Sequence, residues 1–186
     1  MVVLKMFVTI LPVILGGIAN MLFCKSAFYK SHRKPLDNGF CLKDGKRLFG
    51  DNKTITGFLS MIVFCSLFQV LIGLTGLPDD MYTRYENTVI FNIYAGALLG
   101  FMYMLFELPN SFLKRRLGIE AGKTVKSDIR AVFLIIDRID SVTGIALVIC
   151  ILSGKPHLFL PYILLGGLTH LFVNLTLLKL KVRRNL

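Results

Sequence analysis

The four cysteines of this chain include no CxxC pair, no GxxxxGK[ST] segment occurs anywhere, and acidic residues number only 11 against 22 basic ones. The first absence argues against a zinc ribbon or a dithiol centre. Cys24, Cys41, Cys65 and Cys150 are dispersed, and reduced thiols are the expectation. The second excludes a Walker A phosphate loop. A small-residue cleavage site is also missing from the apolar N-terminal run, which continues with polar residues inside it and so reads as a span rather than a signal peptide.

Apolar residues are abundant. They make up 54% of the 186 residues, and the mean hydropathy of +0.66 is too high for an ordinary soluble domain of this length. They fall into runs of about twenty, the length that crosses a bilayer. The reading is an all-α polytopic membrane protein, a single domain over 1–186, with about five transmembrane helices near 2–24, 55–77, 89–108, 131–152 and 157–178. The segments 25–54 and 109–130 carry eight and six Lys/Arg, and the tail from Lys179 carries four, so 18 of the 22 basic residues lie in alternate connections. The segment 78–88 has one base against three acids. This positive-inside asymmetry predicts an outside N-terminus, a cytoplasmic C-terminus and cytoplasmic loops at 25–54 and 109–130. The net charge of +11 is then accounted for by orientation and anionic headgroups, and no nucleic acid is implied.

Chemistry concentrates in the fourth run, which carries Asp137-Arg138-Ile139-Asp140. A charge deep in a membrane costs a few kcal/mol or more, which makes such a position a functional site by default. At about 100° per residue, positions 137 and 140 share a helix face and Arg138 is turned away. Two carboxylates so placed suit a hard cation such as Mg²⁺. The plainer reading, an ion pair with Arg138, leaves the other acid without a partner.

Two basic stretches keep the acids company. Gly50-Asp51-Asn52-Lys53-Thr54 runs into the second span, with a phosphate-seeking lysine and a threonine able to cap the helix; an ordinary helix cap with solvated charges would look much the same. Ser111-Phe112-Leu113-Lys114-Arg115-Arg116 follows a Leu108-Pro109-Asn110 turn signal, and as a positive-inside cluster it needs no ligand. Glu107 reads equally as a cation ligand or as an interfacial acid paired with Lys114 or Arg115. The dense turns of 25–54 predict an ordered loop folded back on the membrane face. Asn92, Gly96 and Gly100 recur every four residues and make a smooth packing face. Such small-residue faces also admit a homo-oligomer. His170 and Asn174 share a face and suit either a helix–helix hydrogen bond or the same polar cavity as the acids.

Several stretches together resemble the CDP-archaeol synthases and, more widely, the CDP-diacylglycerol synthase group of phosphatidate cytidylyltransferases. They are Ile18-Ala19-Asn20, the run from Asp44 to Thr54 with Gly57-Phe58, the run from Asn110 to Ile119, Asp137-Arg138-Ile139-Asp140 with Gly144, and Leu168-Thr169-His170 through Asn174. Phe106-Glu107 stands where that family has Gly-Asp, and Arg138 is closer to the phosphatidate-type enzymes. The resemblance implies a nucleotidyltransferase of the cell membrane that joins CTP to a lipid phosphate, archaetidic acid-like or phosphatidate-like, releasing pyrophosphate with Mg²⁺ as cofactor. Its site would face the cytoplasm. Asp137, Asp140 and Glu107 are the implied metal ligands. Lys114 is the implied catalytic cation, acting with Asp137 and Asp140, and Ser111, Arg115, Arg47, Asp51, Asn52 and Lys53 bind the nucleotide beside it. The attacking phosphate is already anionic, so no general base is needed. A small transporter or channel with an intramembrane acidic site is the rival reading; it gives the long loop and the second basic motif no purpose. A non-catalytic assembly subunit leaves the acids unexplained.

Overall fold

The computed structural model describes residues 2–75, 86–122 and 130–179. The acid-leaning part of 78–88 before Glu86, the bases at 123–129 and the tail beyond Lys179 lie outside them. Six α-helices are present among the described residues: α1 (Val2–Phe23), α2 (Ala27–His32), α3 (Ile55–Gly73), α4 (Val89–Arg116), α5 (Arg130–Ser153) and α6 (Phe159–Lys179), with a 3₁₀ turn at Pro156–Leu158 before α6. All but α2 fall where spans were expected. The 22 residues of α1 rise about 33 Å and the 19 of α3 about 28 Å, close to a hydrocarbon thickness of about 30 Å. Four of the five long helices are long and apolar enough to cross a membrane. The exception is α5, interrupted by Asp137, Arg138 and Asp140.

Side-chain caps set where several helices begin. Thr54 accepts from the Gly57 N–H at 3.0 Å, as the sequence suggested, and Thr88 caps α4 by accepting from Phe91 at 3.2 Å. Each cap satisfies one of the N–H groups that a helix start leaves unpaired.

The third span corrects its expected end. A turn at Leu108-Pro109-Asn110 was anticipated, but α4 continues unbroken to Arg116 with Pro109 inside it. Proline already has a helical φ; inside a helix it forfeits the bond that its missing N–H would have made to Leu105 and its ring crowds the Leu105 carbonyl, a local cost that the contacts made beyond it offset. Continuing the helix sets Glu107, Asn110, Ser111, Lys114 and Arg115 on adjoining faces, where each finds a neighbour. The helix then ends in a Schellman turn. Gly118 is at φ 74°, the Ile119 N–H donates to Lys114 O at 2.9 Å, and the Gly118 N–H donates to Arg115 O at 3.1 Å.

Long helices that follow one another in the chain pack together, most extensively α3 with α4, while α1 and α6 touch only lightly. At the α3–α4 seam Gly96 and Gly100 bring the backbones together: a Cβ at 96 would stand 2.5 Å from the Ser66 Cα, and one at 100 would stand 2.8 Å from the Ile62 Cα. Met61, Cys65, Leu99, Ala146 and Tyr162 belong to one core drawn from all five long helices. At the light α1–α6 edge the bundle leaves room for a cavity.

Residues 25–54 form an ordered cap, as expected. Isolated antiparallel bridges join Pro35 to Thr54 and Cys41 to Arg47. Between them Asn38 and Gly39 both take positive φ, 44° and 84°, and the Phe40 N–H returns to Asp37 O at 2.7 Å. That is the Asn-Gly turn chemistry of a tight hairpin. The cap docks on the end of α4, where the Arg116 guanidinium reaches both Asp44 oxygens at 2.6 and 2.7 Å and Lys46 Nζ donates to Arg116 O at 2.7 Å. The two basic stretches of the sequence therefore lie on the same side of the bundle.

Candidate active site

A cavity of about 1040 Å³ opens between α1, α4, α5, α6 and the cap, just above the range for ligand pockets of about 300–1,000 Å³. Along α1 its wall is apolar, with Ile10, Val13, Ile14, Ile18 and Met21; α6 adds Tyr162, Val173 and Leu177. The other end is densely charged. Lys25, Lys30, Lys53, Lys114, Arg115 and Arg138 line the cavity against only Glu107, Asp137 and Asp140, so the lining has an excess of cationic groups.

The acids sit where α5 faces the last turns of α4. Lys114 Nζ binds Asp137 Oδ2 at 2.7 Å, and the Asn110 amide bridges both carboxylates, 2.6 Å to Asp137 Oδ1 and 2.7 Å to Asp140 Oδ2. Glu107, one turn earlier on α4, is bonded to Lys53 of the cap. Two contacts therefore tie the predicted acids to the two predicted basic stretches. Asp140 also accepts from the Ser141 N–H at 2.6 Å.

Most of the predicted residues converge. Asp137, Asp140, Glu107, Ser111, Lys114, Arg115, Asn52 and Lys53 all line this one cavity, and so do His170 and Asn174. Arg47 and Asp51 are not part of the lining. Arg47 is bonded to Asp37, whose side chain is 0% exposed, and reaches Asp51 at 2.8 Å; its visible work is inside the cap. Burial raises the pKa of Asp37, but the Arg47 guanidinium and the N–H groups of Phe49, Gly50 and Gly39 outweigh it and hold the carboxyl well below its usual range. Gly50, at φ +92°, turns the chain against Arg115: a Cβ there would lie 3.2 Å from Arg115 Nη1. Asn20 is not in the lining either and accepts from Ser60 Oγ at 2.6 Å across α1 and α3.

The sequence reading missed Asn110 as a site residue, along with Tyr103, Lys25 and Lys30 of the lining. Asn110 is three residues after Glu107 and four before Lys114, the spacing of one helix face. Ending the helix at Pro109 concealed it.

No cluster of three or more His, Cys, Asp or Glu side chains able to hold a metal occurs among the described residues. The site's own donors still fit a hard cation. Asp137 and Asp140 are both bonded to the Asn110 Nδ2, a group that occupies the position between them. Nearby, Asn110 Oδ1 is a buried oxygen without a hydrogen bond. Oxygen donors around an acid pair are what Mg²⁺ takes.

Taken together, the fold and site define a polytopic α-helical membrane protein with a cavity, rich in cationic side chains, sunk into its bundle. The model of the CarS-like family, CDP-archaeol synthase, matches residues 1–185, and the chain belongs to that family. It is 33% identical to the CDP-archaeol synthase of Aeropyrum pernix over 77% of this chain and 73% of that one. For the synthase of Methanosarcina mazei the identity is 31%, over 76% of this chain and 83% of the relative. For that of Thermofilum pendens it is 28%, over 89% and 72%. A solved structure of an intramembrane enzyme for archaeal membrane lipid biosynthesis superposes with a TM-score of 0.64 at 25% identity, covering 91% of this chain and 92% of that one. The protein is accordingly a membrane CTP-dependent lipid cytidylyltransferase of lipid biosynthesis, and the transporter reading falls.

Proposed function

We propose that the enzyme joins CTP to the phosphate of an isoprenoid ether lipid of the archaetidic acid type, with Mg²⁺, at a site open to the cytoplasm. The observation that carries the reading is the single cavity in which an acid pair and six cationic side chains meet an apolar wall from α1. A nucleoside triphosphate needs the first end and a lipid the second. The names of the relatives support the ether lipid over phosphatidate.

In the reaction an oxygen of the lipid phosphate attacks the α-phosphorus of CTP. The new P–O bond forms as the bond to the bridging α–β oxygen breaks, and the electron pair leaves on pyrophosphate. Such a transfer depends on alignment and charge neutralisation. Lys114 stands beside Asp137 at the centre of the charged end and neutralises charge there. Arg115 and Lys53 flank it on two walls, and Ser111 and Asn52 supply hydrogen bonds. Asp137 and Asp140 would hold the divalent cation, which when bound would withdraw charge from phosphate oxygens. Glu107 keeps Lys53 in place, so its part in cation binding is indirect.

The test is turnover by purified protein in nanodiscs with CTP, Mg²⁺ and either an archaetidic acid-type lipid or phosphatidate. CDP-lipid and pyrophosphate in equal amounts, faster with the ether lipid, are expected; turnover with phosphatidate alone overturns the lipid assignment. For orientation, Cys41 in the cap is exposed. It is expected to react with a membrane-impermeant maleimide in inverted vesicles and not in intact cells.

A further inference from the structure

We propose that Asn110 is a ligand of the cation, and that its amide is the placeholder that keeps the acid pair assembled until the ion arrives. This rests on the assignment of a divalent cation to Asp137 and Asp140 made above. Asn110 is 94% buried by its 6% exposure and is carried by α4 to where its side chain touches both acids. Its Nδ2 spends one hydrogen on each carboxylate, at 2.6 and 2.7 Å, while its Oδ1 is buried with no hydrogen bond. A buried carbonyl left without a hydrogen bond is destabilising, so the arrangement is complete on one edge of the amide and deficient on the other.

That asymmetry points to a cation. Two carboxylates brought together in a low-dielectric site repel, and the partial positive charge of an NH₂ group between them relieves this without a net charge. An ion entering the same gap meets hydrogens that must turn away. The two ends of a carboxamide are nearly equal in shape, so a half-turn of the terminal torsion exchanges them and offers the ion an oxygen. A neutral third oxygen also suits a cation that must share its sphere with substrate phosphates. Lys114 already contributes one positive charge at Asp137, and a third carboxylate in place of the amide would hold the ion more tightly than turnover needs. The third donor is then not an acid, in keeping with the lack of any three-acid cluster among the described residues.

The experiment measures Mn²⁺ binding to the purified full-length protein in nanodiscs, without nucleotide or lipid, by the electron paramagnetic resonance signal of free Mn²⁺. N110A is expected to weaken binding about 10–100-fold, the usual loss on removing a group that supports a metal site. N110D, isosteric and with oxygen at both ends, is expected to bind Mn²⁺ at least as tightly as the parent. It should also melt lower without metal and gain more in melting temperature when metal is added. Opposite effects of the two substitutions on affinity are the signature of a ligand, since a mere brace between helices loses affinity in both. If N110A does not fold, N110D decides alone, and weaker Mn²⁺ binding by it overturns the proposal. D137N separates the two readings. Parent-like affinity in D137N overturns the acid-pair site itself, whereas lost affinity in D137N with parent-like affinity in N110A overturns only the role of Asn110.

Discussion

From Val89 to Met104, α4 meets α3 through glycine, backbone against backbone; from Glu107 to Arg116 it meets α5 and the cap through charge. The first stretch buries Ala95, Gly96, Leu99, Gly100 and Met104. Its buried Asn92 is held by Gln69 and Asn87. The second stretch spends Glu107 on Lys53, Asn110 and Lys114 on the acids, and Arg116 on Asp44. One helix thus holds the bundle together at one end and builds the site at the other. Packing between small residues in a membrane is insensitive to ions and nucleotide. A network of opposite charges around a cavity is sensitive to both, because each pair is a place where a substrate anion or a cation can replace a partner. The two stretches should therefore fail in different ways when mutated.

The largest separation between them is expected from the acids. D137N and D140N should each lower kcat by at least about 10²–10³-fold, the scale for deleting a principal electrostatic group, while leaving melting in detergent within a few degrees of the parent. Production of CDP-lipid measured beside a melting curve checks this, and a variant with undiminished turnover removes that residue from the site. The glycine seam should show the reverse. In G96L or G100L the new side chain meets α3 backbone, since even a Cβ at 96 is 2.7 Å from Cys65 O and one at 100 is 2.9 Å from Met61 O. Overpacking of this kind costs about 1–3 kcal/mol, read as lost melting temperature, with kcat per folded molecule little changed.

How much of this contrast the sequence displays depends on what identifies each part. Apolar length located all five long helices, and i, i+4 spacing located the Gly96–Gly100 seam. Asp137 and Asp140 were conspicuous because charge is rare in a span. The cap was harder, since its bases and acids are interchangeable on paper. Only the fold shows that Arg47 turns inward to Asp37, that Arg116 takes Asp44, and that Lys53 is the base reaching Glu107 at the cavity. Pro109 misled most, because a proline that usually stops a helix here lies within one, and the end of α4 and Asn110 went unread with it.

A smaller effect is expected where the two stretches join. Lys53 links the cap to Glu107 with both side chains largely buried. K53M should leave Glu107 without its partner and loosen the cap over the charged end, raising KM for CTP about tenfold, close to the loss of one charge-assisted hydrogen bond of about 1.5 kcal/mol. KM for the lipid, whose chains are proposed to lie along the α1 wall, should change less. A lowered kcat with KM for CTP unchanged would place Lys53 with the transition state instead.

The mildest test concerns the cap alone and needs no substitution. The folded Asp37 carboxyl titrates below its unfolded value of about 3.9. In acid the unfolded cap therefore binds more protons than the folded one. The contribution of Asp37 is fully present above pH 4 and is lost as pH falls from there toward the folded pKa. Between pH 7 and 5 the cap should show no change in amide protection relative to the intrinsic exchange rate, and below pH 4 protection should fall at Phe49 and Gly50, whose N–H groups point at Asp37 at 2.9 and 3.0 Å. The α3–α4 seam carries no acid between Ile55 and Gly73 or between Val89 and Leu105, so its protection should persist through the same range. Loss of both together would mean that the cap and the glycine seam unfold as one unit; loss of the cap alone would show that the charged end of α4 can open while the rest of the bundle holds.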